Sequence, residues 1–151
     1  MKNKKYELVK DDYILHNGKI LYRIRALKKL STCRLTVKKG DIGGYVEGYH
    51  NLSQEGSCWI FHEAKVYGNA SVKNSALISG NAEIFGNASI KNCAWIGWYA
   101  KIYGNARVKD IAEVYGNAEV FSNAVISSNA DVRGDAKIHD NTIICHREEI
   151  K

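Results

Sequence analysis

A six-residue pattern of small and β-branched residues runs without interruption through most of the chain. From Cys58 to Arg147, the first position of each hexapeptide is Ala in thirteen of fifteen cases, and the third position is Ile or Val in all fifteen. A small, a variable and a β-branched residue in succession give the period of two that is typical of a strand. The apolar spacing of three and four residues that a helix needs does not occur there. The pattern predicts one short strand in each hexapeptide.

The residues between these strands predict sharp corners, because Gly and Asn, as in Gly68-Asn69, tolerate the positive φ that such a corner needs. Residues eighteen apart share their chemistry, whereas steps of six or twelve give no such order, so three hexapeptides are expected to form one coil. The shared series are Lys65, Glu83, Lys101, Glu119 and Lys137; Tyr67, Phe85, Tyr103, Phe121 and His139; and Asn69, Asn87, Asn105, Asn123 and Asn141. The sequence therefore predicts an all-β protein, a parallel β-helix (β-solenoid) of about five triangular coils, with residues eighteen apart stacked about 4.8 Å apart.

The N-terminal third of the chain lies outside the repeat and predicts a small β structure. Alternating apolar and polar residues on either side of Asn17-Gly18 predict a β-hairpin, and a further strand is expected at residues 35–37. Without a cover, the first coil would expose unpaired strand edges and its apolar core. The expected units are a basic N-terminal β-hairpin cap at 1–51, the hexapeptide solenoid at 52–147 and a C-terminal tail at 148–151.

Charge is divided unevenly between these units. Residues 1–51 carry twelve Lys and Arg against five Asp and Glu, a net +7, whereas residues 52–151 carry a net −1. A basic patch attracts nucleic acid or another acidic surface, and the alternative is a solvated surface that only keeps the protein soluble. The chain has neither a signal-peptide pattern nor an apolar stretch long enough to cross a bilayer. A cytoplasmic location without membrane association is therefore expected.

The residues that could carry chemistry are few. The four cysteines are Cys33, Cys58, Cys93 and Cys145. They form no CxxC pair and no disulfide framework, so we interpret them as free thiols and predict no metal site. His62, next to Glu63 at a corner, is the best candidate for a general base. No Walker loop, HExxH motif or Ser-His-Asp order accompanies it, so no catalytic residue and no cofactor is assigned.

Two outward surfaces of the predicted solenoid are rich in aromatic residues, and each has two interpretations. The aromatic series eighteen residues apart is either an interface or a stack that only stabilises neighbouring coils. The other surface concentrates Trp59, Phe61, Leu77, Trp95, Trp98 and Tyr99 in its first half. These side chains are expected to be buried under the cap or against a second subunit, or else to form a ligand-binding patch. The predicted interface residues are Tyr67, Phe85, Tyr103, Phe121, Trp59, Phe61, Trp95 and Trp98.

The remaining outward surface is basic. Lys73, Lys91 and Lys109 are one coil apart, with Arg107 alongside, and like charges about 5 Å apart repel by roughly 1 kcal/mol in water. A bound anion would relieve this repulsion, and the alternative is a row of lysines whose ammonium groups are solvated. The predicted residues for an anionic partner are Lys73, Lys91, Arg107 and Lys109 on the solenoid and Arg23, Arg25, Lys28 and Lys29 in the cap.

The unit VYGNA at residues 66–70, with an aliphatic residue, a corner Asn and a small residue, resembles the hexapeptide-repeat left-handed β-helix family over residues 58–147. The resemblance implies left-handed coils, although general crossover statistics favour the opposite hand. The block at residues 40–60 further resembles phage- and prophage-associated members described as hexapeptide-transferase-like. Acyltransferases of this kind use a histidine base, often beside a loop extruded from a corner, and no corner within 58–147 carries an inserted loop.

The expected function is a non-enzymatic binding or scaffold protein, because the repeat is rigid and uninterrupted, the charge is divided unevenly and an aromatic series faces outward. The transferase description rests on fold, and fold alone does not fix function. We expect the protein to form a homo-oligomer. The resemblance implies that it is encoded by a phage. Its partner would be a host protein, such as a defence factor, or a nucleic-acid-handling complex, bound through the basic cap or a flat solenoid face. The first alternative is an acyltransferase that uses an acyl-CoA donor. The second is a structural component of phage assembly.

Overall fold

Parallel strands stacked at intervals of eighteen residues build the protein, in a computed structural model that describes residues 3–146 and 149–151. Glu83 pairs with Lys65 on one side and with Lys101 on the other. The prediction of an all-β solenoid with three hexapeptides in each coil is therefore confirmed. Left-handed coiling stays a prediction.

Five strands and one short 3₁₀ turn precede the regular repeat. They are β1 Tyr6–His16, β2 Lys19–Ala26, β3 Leu30–Ser31, β4 Thr36–Val37, β5 Ile42–Val46 and the 3₁₀ turn Tyr49–Asn51. Two-residue strands follow, one in each hexapeptide. They are β6 Trp59–Ile60, β7 Lys65–Val66, β8 Ser71–Val72, β9 Leu77–Ile78, β10 Glu83–Ile84, β11 Ser89–Ile90, β12 Trp95–Ile96, β13 Lys101–Ile102, β14 Arg107–Val108, β15 Glu113–Val114, β16 Glu119–Val120, β17 Val125–Ile126, β18 Asp131–Val132, β19 Lys137–Ile138, β20 Ile143–Ile144 and β21 Glu149–Ile150.

Three sheets form the sides of the solenoid. The first face has the strand order β1-β2-β5-β7-β10-β13-β16-β19, the second β8-β11-β14-β17-β20, and the third β6-β9-β12-β15-β18-β21. A parallel bridge between Leu52 and Val72 adds one more level to the second face. The solenoid therefore has about six coils, one more than predicted. The difference arises because β5 and β21, which lie outside the predicted range 52–147, continue the parallel stacking.

The first and third positions of nearly every hexapeptide point into the core. Ala64, Val66, Ala70 and Val72 are all fully buried, and the same holds along most of the repeat. Burying one Ile or Val side chain contributes about 1.5–3 kcal/mol before conformational entropy is subtracted. Alternate N–H groups of each coil donate to carbonyls of the next, as from Lys65 to Ala82 over 2.9 Å. The core and the backbone ladder thus reinforce the same register.

Two neighbouring residues at each corner have different roles. The first residue of each corner has the positive φ, for example 65° at Gly68. The next residue, Asn69, does not need that conformation, and its amide Nδ2 instead donates to Oδ1 of Asn87 over 3.3 Å. The predicted Asn series is therefore a continuous ladder of side-chain hydrogen bonds, which reaches Asn141 on the last coil of the series.

The predicted hairpin is present, and it extends the first face. β1 and β2 pair antiparallel around a turn in which Asn17 and Gly18 have φ of 50° and 77°. β2 then pairs antiparallel with β5. Leu21 of this hairpin is fully buried against Tyr45 and Tyr67. The hairpin therefore covers the outer surface of the first face at its N-terminal end.

In later coils, carbonyl groups accept hydrogen bonds from N–H groups of the preceding coil. At the first coil, side chains donate hydrogen bonds to such carbonyl groups instead. The fully buried Lys5 ammonium donates to the carbonyl of Cys58 over 2.8 Å and lies 3.2 Å from its Sγ. The Tyr6 hydroxyl donates to the carbonyl of Leu52 over 2.6 Å. Asn51 Nδ2 likewise donates to the carbonyl of Ala70 over 2.8 Å. Burial lowers the pKa of Lys5, and the contact with Cys58 partly opposes this shift. A cap limited to residues 1–51 stays a prediction.

Candidate binding groove on the third face

The apolar residues predicted on the third face divide into a buried and an exposed group. Trp59 and Leu77 are 1% and 2% exposed, and the Trp59 ring meets the Tyr6 ring edge-on at 6.3 Å. Trp59 is thus covered by the chain's own N-terminal segment, and its interface role stays a prediction. Trp98 and Tyr99 lie at the other extreme, 61% and 59% exposed.

Two adjoining cavities lie between these groups, with volumes of about 440 Å³ and about 280 Å³. Both are lined by His62, Ser79 and Trp95. The larger one is also lined by Gly80, Asn81, Trp98 and Tyr99, and the smaller one by Arg34, Leu35, Phe61 and Leu77. We call the two together the aromatic groove. The larger cavity falls in the size range of sites that hold a small molecule.

Trp95 forms the floor that the two cavities share, and its orientation is fixed from several sides. Its indole N–H donates to Ser79 Oγ over 3.1 Å. The guanidinium of Arg34 lies 4.7 Å above the ring and forms an ion pair with Glu113. A Cβ at Gly97 would lie 2.6 Å from Trp95 Cζ2, so only glycine leaves room for the indole there. These contacts hold the Trp95 indole in one orientation in the groove.

Trp98 occupies a corner whose backbone does not suit it. Its φ is 57°, and the equivalent corners one coil earlier and one coil later are Gly80 and Gly116, with φ of 63° and 69°. A bulky residue in this left-handed region costs about 1–2 kcal/mol relative to an ordinary conformation. Backbone strain clusters at functional sites, and here it falls on an exposed aromatic residue beside a cavity, so Trp98 is a candidate functional position.

His62 also lies at a corner with positive φ, 58°. Its Nδ1 accepts a hydrogen bond from the backbone N–H of Gly80 over 3.1 Å. In the neutral ring the proton is therefore on Nε2, which can donate a hydrogen bond but cannot take up a proton. Glu63, the predicted neighbour of the candidate base, forms an ion pair with Arg23 instead. The arrangement favours a hydrogen-bond donor over a general base.

The aromatic series of the first face is a continuous stack. Ring centroids are 5.2 Å apart for Tyr67 and Phe85, 4.9 Å for Phe85 and Tyr103, and 5.0 Å for Tyr103 and Phe121. Tyr67 is 4% exposed because the hairpin covers it. Burial, together with the neighbouring carboxylates Glu83 and Glu119, raises the pKa of Tyr67 and of Tyr103 to about 12. An interface role for the stack stays a prediction.

The residues predicted to bind an anion lie on two different sheets. Lys73, Lys91, Arg107 and Lys109 lie in or beside strands of the second face, and all but the half-buried Lys109 are exposed. Arg23 and Arg25 belong to β2 of the first face, where they form ion pairs with Glu63 and Glu7. Lys28 and Lys29 are exposed between β2 and β3. The two sets therefore do not form one patch on one sheet, and anion binding by either stays a prediction.

The sequence pattern did not indicate every residue of the groove. Arg34 and Leu35 come from the segment between β3 and β4, which has no repeat to place it. One signal was available: Trp98 stands where the neighbouring coils have Gly. The same segment brings Cys33 Sγ to 3.2 Å from Cys93 Sγ, a contact between two free thiols that the sequence pattern did not indicate.

The fold places the chain in the class of parallel β-solenoid proteins. Comparison with models of known protein families gave no match, and comparison with curated proteins gave none either. Within residues 3–146 and 149–151, no helix is long and apolar enough to span a membrane. The same described residues contain no group of three or more His, Cys, Asp or Glu side chains that could hold a metal ion.

Proposed function

We propose that the protein is a non-enzymatic binding protein and that the aromatic groove is its binding site. The observation that carries the proposal is Trp98, held at a positive φ of 57° and 61% exposed at the mouth of a cavity of about 440 Å³. Because most of the indole is exposed to solvent, its burial contributes little to stability against the cost of the strained corner. A ligand that covers the indole supplies the reason for its presence.

The chemistry of the groove favours a protein partner that inserts one large apolar or aromatic side chain. Trp95 and Phe61 supply apolar walls, and aromatic pockets of this type are typical centres of protein interfaces. Burying an apolar side chain there would contribute about 1.5–3 kcal/mol. The Nε2 proton of His62 and the amide of Asn81 lie among the lining groups and could hydrogen-bond the partner's backbone.

Further features of the proposal come from the repeat. We propose that the protein is a cytoplasmic homo-oligomer of the hexapeptide-repeat left-handed β-helix type, and that its partner is a host protein, as the resemblance to phage-associated members implies. The acyltransferase alternative is weaker, because the hydrogen bond from Gly80 occupies the nitrogen of His62 that would act as the base. The basic residues of the second face are the candidate surface if the partner complex carries nucleic acid.

The test is a comparison of three proteins as bait in extracts of the native host. Trp98→Gly removes the groove wall and restores the residue that the neighbouring coils use. Ile111→Ala is the matched control, since Ile111 is a 60% exposed apolar residue at a different corner. We expect a partner that the wild type and Ile111→Ala retain and that Trp98→Gly loses at least tenfold.

A partner retained equally by all three proteins would mean that binding occurs elsewhere. A rise in Tm with acetyl-coenzyme A that disappears in Trp98→Gly would favour the acyltransferase instead. Either outcome would overturn the proposal.

A further inference from the structure

Two thiols from distant parts of the chain meet at the edge of the aromatic groove. Cys33 lies between β3 and β4, and Cys93 lies at a corner of the repeat, yet their Sγ atoms are 3.2 Å apart. Both side chains are exposed. Cys33 Sγ also lies 3.9 Å from the carbonyl oxygen of Ser75, one coil earlier than Cys93. The segment between β3 and β4 is thus seated on the solenoid with its thiol directly over a second thiol.

We infer that Cys33 and Cys93 form a reversible disulfide and that this bond holds the β3–β4 segment over the groove. A disulfide has an S–S distance of about 2.05 Å, so the two sulfur atoms need to approach by about 1.2 Å from their present separation of 3.2 Å. The oxidant that we name is a small-molecule disulfide such as glutathione disulfide. The inference about the bond is independent of the proposed function, whereas its effect on binding rests on it.

The Cys33–Cys93 disulfide forms in two thiol–disulfide exchange steps. One protein thiolate attacks a sulfur of glutathione disulfide, which forms a mixed disulfide and releases a glutathione thiolate. The second protein thiolate attacks the protein sulfur of that mixed disulfide, which forms the Cys33–Cys93 bond and releases a second glutathione thiolate. Two protein thiols lose two electrons, one glutathione disulfide gains them, and the two thiol protons end on two glutathione molecules.

The other two cysteines lack this arrangement. Cys58 is buried, contacts the Lys5 ammonium, and has its pKa raised chiefly by burial. Cys145 is exposed on the last coils of the chain. For Cys93, the pKa is raised mainly by the hydrogen bond with Cys33. Because thiolates are the reactive form, the bond is expected to form faster at pH 9 than at pH 7.

The bond acts on the groove through the immediate neighbours of the two cysteines. Arg34 and Leu35 follow Cys33 and line the smaller cavity, and Trp95, the shared floor, is two residues after Cys93. In the reduced protein, Arg34 is held over Trp95 by its ring contact and by an exposed ion pair with Glu113. Oxidation adds a covalent tie at the same place, so the wall of the groove is fixed before a ligand arrives.

The bond is tested by mass spectrometry on the full chain. The protein is equilibrated with glutathione buffers from fully reduced to mostly disulfide, quenched with iodoacetamide, digested and mapped. We expect a linked Cys33–Cys93 peptide, a protein about 2 Da lighter than the reduced form before alkylation, and a Tm about 10 °C higher. Cys33→Ser and Cys93→Ser should each abolish the link, and Cys145→Ser should not.

A stable mixed disulfide with glutathione at either cysteine, without the internal link, would overturn the inference. So would a link that pairs Cys145 with either residue. Circular dichroism of the two serine variants checks that they fold, and both replaced side chains are exposed, so folding is expected.

The effect on the groove is measured with 8-anilinonaphthalene-1-sulfonate as the probe. We expect the oxidised wild type to bind the dye at least threefold more tightly than the reduced form, and Cys93→Ser to show no dependence on redox state. Equal affinity in both wild-type states would overturn control by the disulfide while the bond itself stands. Undiminished dye binding by Trp98→Gly would instead count against the groove, and hence against the proposed function, without affecting the disulfide.

Discussion

The imidazole Nε2 of His16 lies 3.0 Å from Oε1 of Glu83, which ties the turn of the hairpin to the solenoid. The same carboxylate oxygen accepts a hydrogen bond from the Tyr67 hydroxyl over 3.0 Å. Asn17, at the turn itself, donates to that hydroxyl over 3.2 Å. A small polar cluster therefore holds the tip of the hairpin against the first face, at the point where Leu21 covers the aromatic stack.

This cluster makes the hairpin contact sensitive to acid. Burial alone would raise the pKa of Glu83, but the hydrogen bonds from His16 and Tyr67 outweigh it, so the pKa of Glu83 is lowered. A carboxylate with a lowered pKa in the folded state stabilises the fold above its unfolded pKa and loses that contribution as the pH falls through the folded value. We expect Glu83→Gln to reduce the free energy of unfolding at pH 7 by about 1–2 kcal/mol.

Urea denaturation between pH 7 and pH 3 checks this prediction. The difference between wild type and Glu83→Gln should shrink as the pH falls below about 4.5. Glu119→Gln is the matched control, because Glu119 accepts from Tyr103 at the same position of a later coil. A difference for Glu83→Gln that stays constant over the whole range would show that proton linkage at this carboxylate is not the cause.

The buried ammonium of Lys5 provides a second prediction. It supplies hydrogen bonds to carbonyls of the first coil, above all to that of Cys58. Lys5→Met would leave that carbonyl buried without this donor, so the free energy of unfolding should fall by about 1–3 kcal/mol. Lys39→Met, at an exposed position, should change it by no more than about 0.5 kcal/mol. Equal stability of the two variants in urea denaturation would mean that Lys5 contributes no net hydrogen bonding to the fold.

Trp98→Gly should stabilise the protein, although it deletes one of the two indoles that line the groove. Glycine removes the strain of the positive φ, and the expected gain is about 1–2 kcal/mol in the free energy of unfolding. Gly116→Ala should act in the opposite direction, since its φ is 69° and a Cβ would lie 2.9 Å from the backbone nitrogen of Gly134. Thermal unfolding of both variants checks the pair. A loss of stability in Trp98→Gly would show that the indole supports the fold rather than a ligand.

The narrow core predicts that substitutions at two neighbouring positions differ sharply in their effect on the free energy of unfolding. Ala106 is fully buried, and Ala106→Leu should overpack its corner at a cost of about 1–3 kcal/mol. Arg107, the next residue, is exposed on the second face, so Arg107→Leu should change the free energy of unfolding by no more than about 0.5 kcal/mol. Guanidinium denaturation of the two variants measures the contrast. Similar losses in both would contradict the assigned register of that strand.

The residues that sequence reasoning placed correctly are those under a local or a periodic constraint. Asn17-Gly18 predicted its turn because few other residue pairs adopt that backbone conformation. Lys65 and Glu83 were predicted to stack because a coil consumes a constant number of residues, and the structure pairs them. The level formed by β5 was missed, because Val46 and Val66 are twenty residues apart and fall outside the eighteen-residue spacing.

By itself, the sequence determined the solenoid, the three hexapeptides in each coil and the stacked side-chain series, because these follow from a spacing that every hexapeptide repeats. Only the tertiary structure decided that the hairpin buries Tyr67, that Arg34 lies over Trp95 and that Cys33 meets Cys93. These contacts join the non-repeating N-terminal segment to the rod. The geometry of these contacts depends on the conformation of that segment and on where it packs against the solenoid. No periodicity in the chain encodes that geometry.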